Sequence, residues 1–302
     1  MSTNLPPKPI LTEDLPFIGV ATVQNREHET FPRFLEACRN NESAVALQLA
    51  NDQEPAVLTW GLSHSIKAQH LDMARQLLLN GVSWDYHTLS YASRDLDAIK
   101  LLVDFGFNVN STLLGGGNLL RIAVARNDEE AIHFLLKQGA NPNFGPPRYP
   151  HGHISQIRSL PNSGMTLNAA AGNCTPEIFA LLLEHGAVLS NSIALHRAAG
   201  VSVSVPPGER IPMLRYLLGL GLDINGMDDA IKIGDDGRGQ RGSPLMYAIY
   251  WGRTIEAKWL LEHGADPDRK TPWGISARDQ VRRYPAEHRM SVLLQEICPE
   301  EP

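Results

Sequence analysis

The chain has 302 residues, with 27 Lys and Arg against 33 Asp and Glu, a formal net charge of −6; 43% of it is hydrophobic and 20% charged. That composition can bury a large core and excludes a disordered chain, while the mild acidity excludes a general polyanion binder. No run approaches the roughly 18 consecutive apolar residues of a membrane-spanning helix, and Cys38, Cys174 and Cys298 are too scattered for a disulfide framework or a zinc site, so they read as reduced thiols of a cytosolic or nuclear protein.

Residues 1–30 precede any periodic pattern. They are Pro-rich and have no apolar block behind a basic start, so they do not read as a secretory signal. They read as an arm, either a loose tail or chain laid over the first repeat. Residues 31–50 (FPRFLEACRNNESAVALQLA) read as a helix pair. One pattern then recurs: an apolar helix end, a glycine and a short extended tail. It appears as QLLLNGVSWD (76–85), LLVDFGFNVN (101–110), FLLKQGANPN (134–143), LLLEHGAVLS (181–190), YLLGLGLDIN (216–225) and WLLEHGADPD (259–268). Each glycine stands where a helix must stop and the chain must turn with positive φ. Upstream of these glycines lie further helical segments such as 119–128, 193–200 and 244–252, in which Ala123, Ala170, Ala198 and Ala248 recur at one place and predict close helix approach. Residues 271–298 read as a last, degenerate helix pair.

These residues resemble the ankyrin repeat, with its G-x-T-P-L-H-x-A-A opening and its L-L-x-x-G-A-D-x-N close. Residues 242–268 (GSPLMYAIYWGRTIEAKWLLEHGADPD) match that pattern closely, 116–143 nearly as well, and 192–199 (SIALHRAA) keep the Leu-His step. The six matches share one register, as internal repeats do. The resemblance implies an all-α repeat solenoid of stacked helix-turn-helix units with β-turn fingers, two of them elongated. The expected organisation is an arm over 1–30, repeats over 31–298 with caps at about 31–55 and 271–298, and a tail over 299–302.

The spacing between stop glycines is 25, 33, 47, 35 and 43 residues, against a family period of about 33. The surplus falls in 144–164 and 226–242, which predict two long fingers flanking a short one, and in 200–210 between two helices. A notch over the repeats holding Asn168 and His196 is therefore expected.

In the resembled family the first helix of each repeat lines the concave face. Residues aligned with the His of T-P-L-H are Ser63, Ser90, Arg121, Asn168, His196 and Met246; four residues on stand Lys67, Arg94, Ala125, Gly172, Gly200 and Tyr250. The expected partner-binding set is Trp60, Lys67, Tyr91, Arg94, Arg121, Asn168, His196, Met246, Tyr250 and Trp251. It pairs cations in the N-terminal half with aromatic side chains in the C-terminal half. Arg, Trp and Tyr are the residues that dominate interface energies. The resemblance thus implies a scaffold or adaptor that binds another protein or peptide, one with an acidic segment.

No nucleophile elbow, Walker loop or H-E-x-x-H is present, and the expectation is no cofactor, no metal and no catalytic residue. Gly115-Gly116-Gly117 reads as a finger turn, and His151 and His153 with Cys174 lack a fourth ligand. Glu177, Glu256 and Asp97 start second helices, where acidic side chains oppose the helix dipole. The alternative class is a small-molecule binding protein or unconventional enzyme with a pocket between 144–164 and 226–242. Nucleic acid is a weak third reading, resting on the Lys67, Arg94 and Arg121 stripe, and a membrane is not expected.

Overall fold

The computed structural model describes residues 15–23, 30–147, 152–202, 204–228 and 242–299. Among them sixteen helices run in eight pairs: α1 (Phe31–Arg39) with α2 (Ser43–Ala50), α3 (Pro55–Lys67) with α4 (Leu71–Leu79), α5 (Tyr86–Ala92) with α6 (Leu96–Asp104), and α7 (Leu119–Ala125) with α8 (Glu129–Lys137). Then follow α9 (Met165–Asn173) with α10 (Pro176–Glu184), α11 (Ala194–Ala199) with α12 (Ile211–Gly219), α13 (Pro244–Tyr250) with α14 (Thr254–Glu262), and α15 (Ala277–Val281) with α16 (Arg289–Ile297). This is the all-α repeat solenoid that the resemblance implies.

Contacts divide the chain into two compact units. The first holds residues up to Ala123, with 128–140 and 151–161; the second holds 124–127, 141–150 and everything from 162 onward. Within each, first helices stack on first helices and second on second. In the first unit α1 packs on α3 and α3 on α5, while α4 packs on α6 and α6 on α8. In the second, α9, α11, α13 and α15 form one row, α10 meets α12, and α14 meets α16. Ala123, Ala170, Ala198 and Ala248 are buried in the first-helix rows, where a side chain of one methyl lets helices close up.

The six stop glycines all take positive φ: Gly81 at 78°, Gly106 at 90°, Gly139 at 82°, Gly186 at 87°, Gly221 at 86° and Gly264 at 96°. The amide after each then bonds back into the helix, as in Ala187 N to Leu182 O at 2.9 Å, which satisfies carbonyls the helix end leaves open. Four residues after three of these glycines stands an asparagine that ties its repeat to the next. Asn110, Asn143 and Asn225 donate through Nδ2 to the carbonyls of Gly139, Gly186 and Gly264, at 2.9, 2.8 and 3.1 Å.

Outside the helices, β1 (Phe17–Ile18) pairs in parallel with β2 (Thr112–Leu113). The 200–210 insertion is held by the second unit's buried Arg253, whose Nη1 donates to Val205 O at 2.6 Å and Nη2 to Pro206 O at 2.9 Å. Cys38 and Cys174 are buried and Cys298 is half-buried; burial raises the Cys38 thiol to about 12, too high for a thiolate near neutrality.

Candidate functional site

The first unit gathers the expected cationic and aromatic side chains on consecutive first helices. Trp60 and Lys67 lie on α3 and Tyr91 on α5. Lys67 Nζ sits 5.2 Å from the centroid of the Tyr91 ring, within range of a cation–π attraction. Trp60 and Tyr91 share a cavity of about 170 Å³ with Ser63, His64 and His87. A second hollow alongside, about 330 Å³, is lined by Arg39, His64, Lys67 and Ala68. His64 belongs to both, and its imidazole titrates below the ordinary 6.5, first because it is partly buried and then because Arg39 and Lys67 repel its charged form. Arg94 is exposed just past the end of α5, and Arg121 is half-buried on α7. The face is therefore basic, aromatic and recessed.

The described part of the arm is laid against this unit, not loose. Thr112 N donates to Pro16 O at 2.8 Å and Tyr86 N to Gly19 O at 2.8 Å. Ala21 N donates to Asp85 Oδ2 at 3.1 Å, and Trp60 Nε1 donates to Ala21 O at 3.0 Å. Asp85 is the N-cap of α5, its other oxygen accepting from Thr88 N at 2.9 Å, so one carboxylate serves both the helix start and the arm. Leu15 and Val23 are buried at either end, while Val20 between them is 45% exposed.

The elongated finger over 144–164 departs from expectation. Its residues 152–159 lie over the preceding finger. Arg158 places its guanidinium 3.7 Å from the centroid of the Phe17 ring, and Ser159 Oγ donates to Gly116 O at 2.7 Å. A Cβ on Gly116 would stand 2.8 Å from Arg158 O, so the glycine run is a seat for this finger. The other long finger, 226–242, and with it most of the expected notch, lies outside the described residues at 229–241, as do His151 and residues 148–150.

In the second unit the residues aligned with the His of T-P-L-H face inward, and the expectation for them is corrected. Asn168, His196 and Met246 are 4%, 7% and 1% exposed, which leaves them no surface to offer a partner. Asn168 Oδ1 accepts from Ile193 N at 2.8 Å. His196 Nε2 donates to Gly226 O at 2.9 Å, and its ring meets that of Tyr247 edge-on at 5.3 Å. Tyr247 Oη donates to Asp228 Oδ2 at 2.6 Å, and Asp228 is fully buried. Ser63 repeats this in the first unit, with Oγ 2.7 Å from Thr88 Oγ1. At Ser63, Asn168 and His196 the side chain therefore ties its helix to the following repeat. In the row four residues on, Lys67, Arg94 and Tyr250 are exposed while Gly172 and Gly200 are buried, and Tyr250, at 57%, stacks edge-on with half-buried Trp251 at 5.6 Å.

Three features were not anticipated from sequence. Asp85 and Arg158 hold the arm, and their signal was the apolar LPFIGVATV segment over 15–23. Glu256 is fully buried, paired with Arg253 at 2.7 Å and accepting from Gly208 N at 2.8 Å, so it clasps the 200–210 insertion as well as starting α14. A cavity of about 400 Å³ opens in the last helix pair, lined by Arg278, Val281, Arg282, Tyr284 and Leu294 among others. Among the described residues no three His, Cys, Asp or Glu side chains cluster to hold a metal, and no helix is long and apolar enough to cross a membrane.

Comparison with known proteins agrees with the repeat geometry. Family models described as "Ankyrin repeats (many copies)" and "Ankyrin repeat" match residues 86–136 and 242–272. The chain is 31% identical over 152 residues to human Ankyrin repeat and SOCS box protein 6, covering 48% of this chain and 30% of that protein. The mouse protein of the same name is 31% identical over 100 residues, 32% of this chain and 20% of its own length. The matched part thus spans less than a third of these relatives. Among solved structures, the ankyrin repeat domain of human ASB11 aligns with 89% of this chain and 98% of its own, at 17% identity and a TM-score of 0.43.

Proposed function

This chain is an ankyrin repeat protein, and we propose that it is an interaction scaffold or adaptor whose first unit holds a partner protein by an acidic segment. Ankyrin repeats serve generally to bind other proteins, which makes binding the starting point. The observation that carries the finer reading is the recess around Trp60, His64, Lys67 and Tyr91, lined also by Arg39, with exposed Arg94 three residues after Tyr91 in the chain. Aromatic walls supply contact area at little entropic cost, and a cation beside them selects carboxylates. Tyr250 is the corresponding anchor of the second unit. Work in the cytosol or nucleus suits the buried thiols, which need no oxidising compartment.

The test is affinity purification from cell extract with wild-type, Arg94→Glu and Tyr250→Ala chains, read by mass spectrometry beside thermal unfolding. Both positions are exposed, so melting should not move. Loss of the same specific partners from the variants supports the reading, and retention of every partner overturns it.

A further inference from the structure

The arm makes its polar contacts with the first unit through its backbone. The bonds run to Pro16 O, Gly19 O, Ala21 N and Ala21 O, and β1 adds a short parallel ladder against β2. Side chains contribute as well: Leu15 and Val23 are buried, and Phe17 lies under the Arg158 guanidinium. Backbone bonds for affinity, with a few side-chain seats for selectivity, is how protein surfaces take up extended peptides. The groove's own donors and acceptors, Trp60 Nε1, Asp85 Oδ2 and the amides of Tyr86 and Thr112, would meet any extended chain in the same register.

We propose that the surface formed by Trp60, Asp85, Thr112 and Arg158 is a docking site for extended peptides, held in cis by residues 15–23. Its partner is a segment with the arm's own order: aliphatic, Pro, aromatic, aliphatic, Gly, and a second aliphatic anchor eight residues after the first. Such a segment enters by displacing the arm. The guanidinium over the third position selects an aromatic ring, and the Asp85 carboxylate demands an N–H at the seventh, which excludes proline there. The inference rests on the interaction reading above and shares Trp60 with its recess, but none of the positions altered in its purification test, so its failure leaves the Arg94 and Tyr250 purification result standing.

The test uses the full chain and a fluorescein-labelled synthetic peptide of residues 14–24, titrated by anisotropy. Ala21→Pro in the chain removes the N–H that meets Asp85 and loosens the tethered competitor. The peptide is expected to bind this variant at least about tenfold more tightly than wild type, because a tethered segment competes at high effective concentration. Adding Trp60→Phe, which deletes the groove's indole donor, should weaken that binding severalfold. A peptide that itself carries Pro in place of Ala21 should not bind. Equal affinity for wild type and variant, or no binding to a variant of unchanged circular dichroism, overturns the proposal. Should Ala21→Pro unfold the chain, Val23→Ser, which empties one anchor and leaves the backbone bonds, takes its place. Unfolding by both would make the arm an integral part of the core and equally overturn it.

Discussion

Asn143 spans two repeats: its Nδ2 donates to Gly186 O at 2.8 Å, and its Oδ1 accepts from Val188 N at 2.9 Å. One side-chain amide thus satisfies the carbonyl of the stop glycine just past α10 and the amide two residues beyond it. Asn225 makes the same pair with Gly264 and Asp266, at 3.1 and 2.8 Å. Asn143→Ala deletes both bonds, each worth about 1 kcal/mol net, and should lower stability by about 2 kcal/mol. Asn143→Asp keeps the acceptor but turns a carboxylate toward the Gly186 carbonyl, and should cost at least as much. Urea midpoints for the two variants check this, and an Asp variant as stable as wild type would contradict it.

Two glycines of the second unit should rank opposite to their backbone angles. Gly186 has φ of 87° and open space where a Cβ would go, so Gly186→Ala pays only the left-handed strain of about 1 to 2 kcal/mol. Gly164 has an ordinary φ of −85°. A Cβ there would stand 1.9 Å from Asn191 O and 2.7 Å from Ser192 Cα. Backbone atoms cannot swing aside, so Gly164→Ala should cost about 3 kcal/mol or more. Thermal unfolding of both alanine variants decides the order.

The pair Arg253 and Glu256 is 4% and 0% exposed by side chain. Removing either leaves the other charged in the interior, so Arg253→Ala and Glu256→Ala should each destabilise by about 3–5 kcal/mol, while Arg253→Met with Glu256→Leu together should cost less than either single change. The double variant also frees the 200–210 segment, whose carbonyls Arg253 holds. Faster proteolysis there, without loss of global helicity, is the expected signature, and an additive double variant would argue against the pair.

His64 makes a pH prediction. Its imidazole is held below the ordinary 6.5 by burial, then by Arg39 and Lys67. The unfolded chain therefore takes up the proton more readily than the folded one, and stability is complete above about pH 6.5 and declines as pH falls below it. His64→Gln should flatten the stability curve between about pH 5 and 7. Asp268, depressed by its bonds to Arg278, loses its contribution only at lower pH, as it falls through that carboxyl's own value. An unchanged slope in His64→Gln would assign the effect to another group.

The period was legible because it is a backbone property. A glycine at positive φ and an alanine between close helices must recur wherever the same unit recurs, and Gly81 through Gly264 announced it. The site was legible only in part. Lys67, Arg94 and Tyr250 were placed on one row by the resemblance and the four-residue step of a helix face, and they are exposed. Asn168, His196 and Met246 are not: all three are buried, and the first two bond backbone of the next repeat, which a single helix's geometry does not reveal. The arm escaped for a different reason. Nine extended residues carry no helical period, and their partners, from Trp60 to Arg158, lie far away in sequence. Glu256 looked like an ordinary helix start until Arg253 and the insertion closed over it.

The asparagine ties are not continuous. Four residues after Gly186 the chain carries Ser190, a side chain too short to reach the next stop glycine, Gly221, as Asn143 reaches Gly186. The helix pairs on either side of that step are joined through α9 with α11 and α10 with α12, and by the bonds of Ile193 N to Asn168 Oδ1 and of Arg210 Nη1 to Cys174 O at 2.7 Å, without the stitch along the fingers. Under mechanical load, or in slow hydrogen exchange, the second unit should part first at that step. The amides from Ile211 to Asn225 would then trade protons before those of α9 and α10, giving the second unit a built-in line of cleavage.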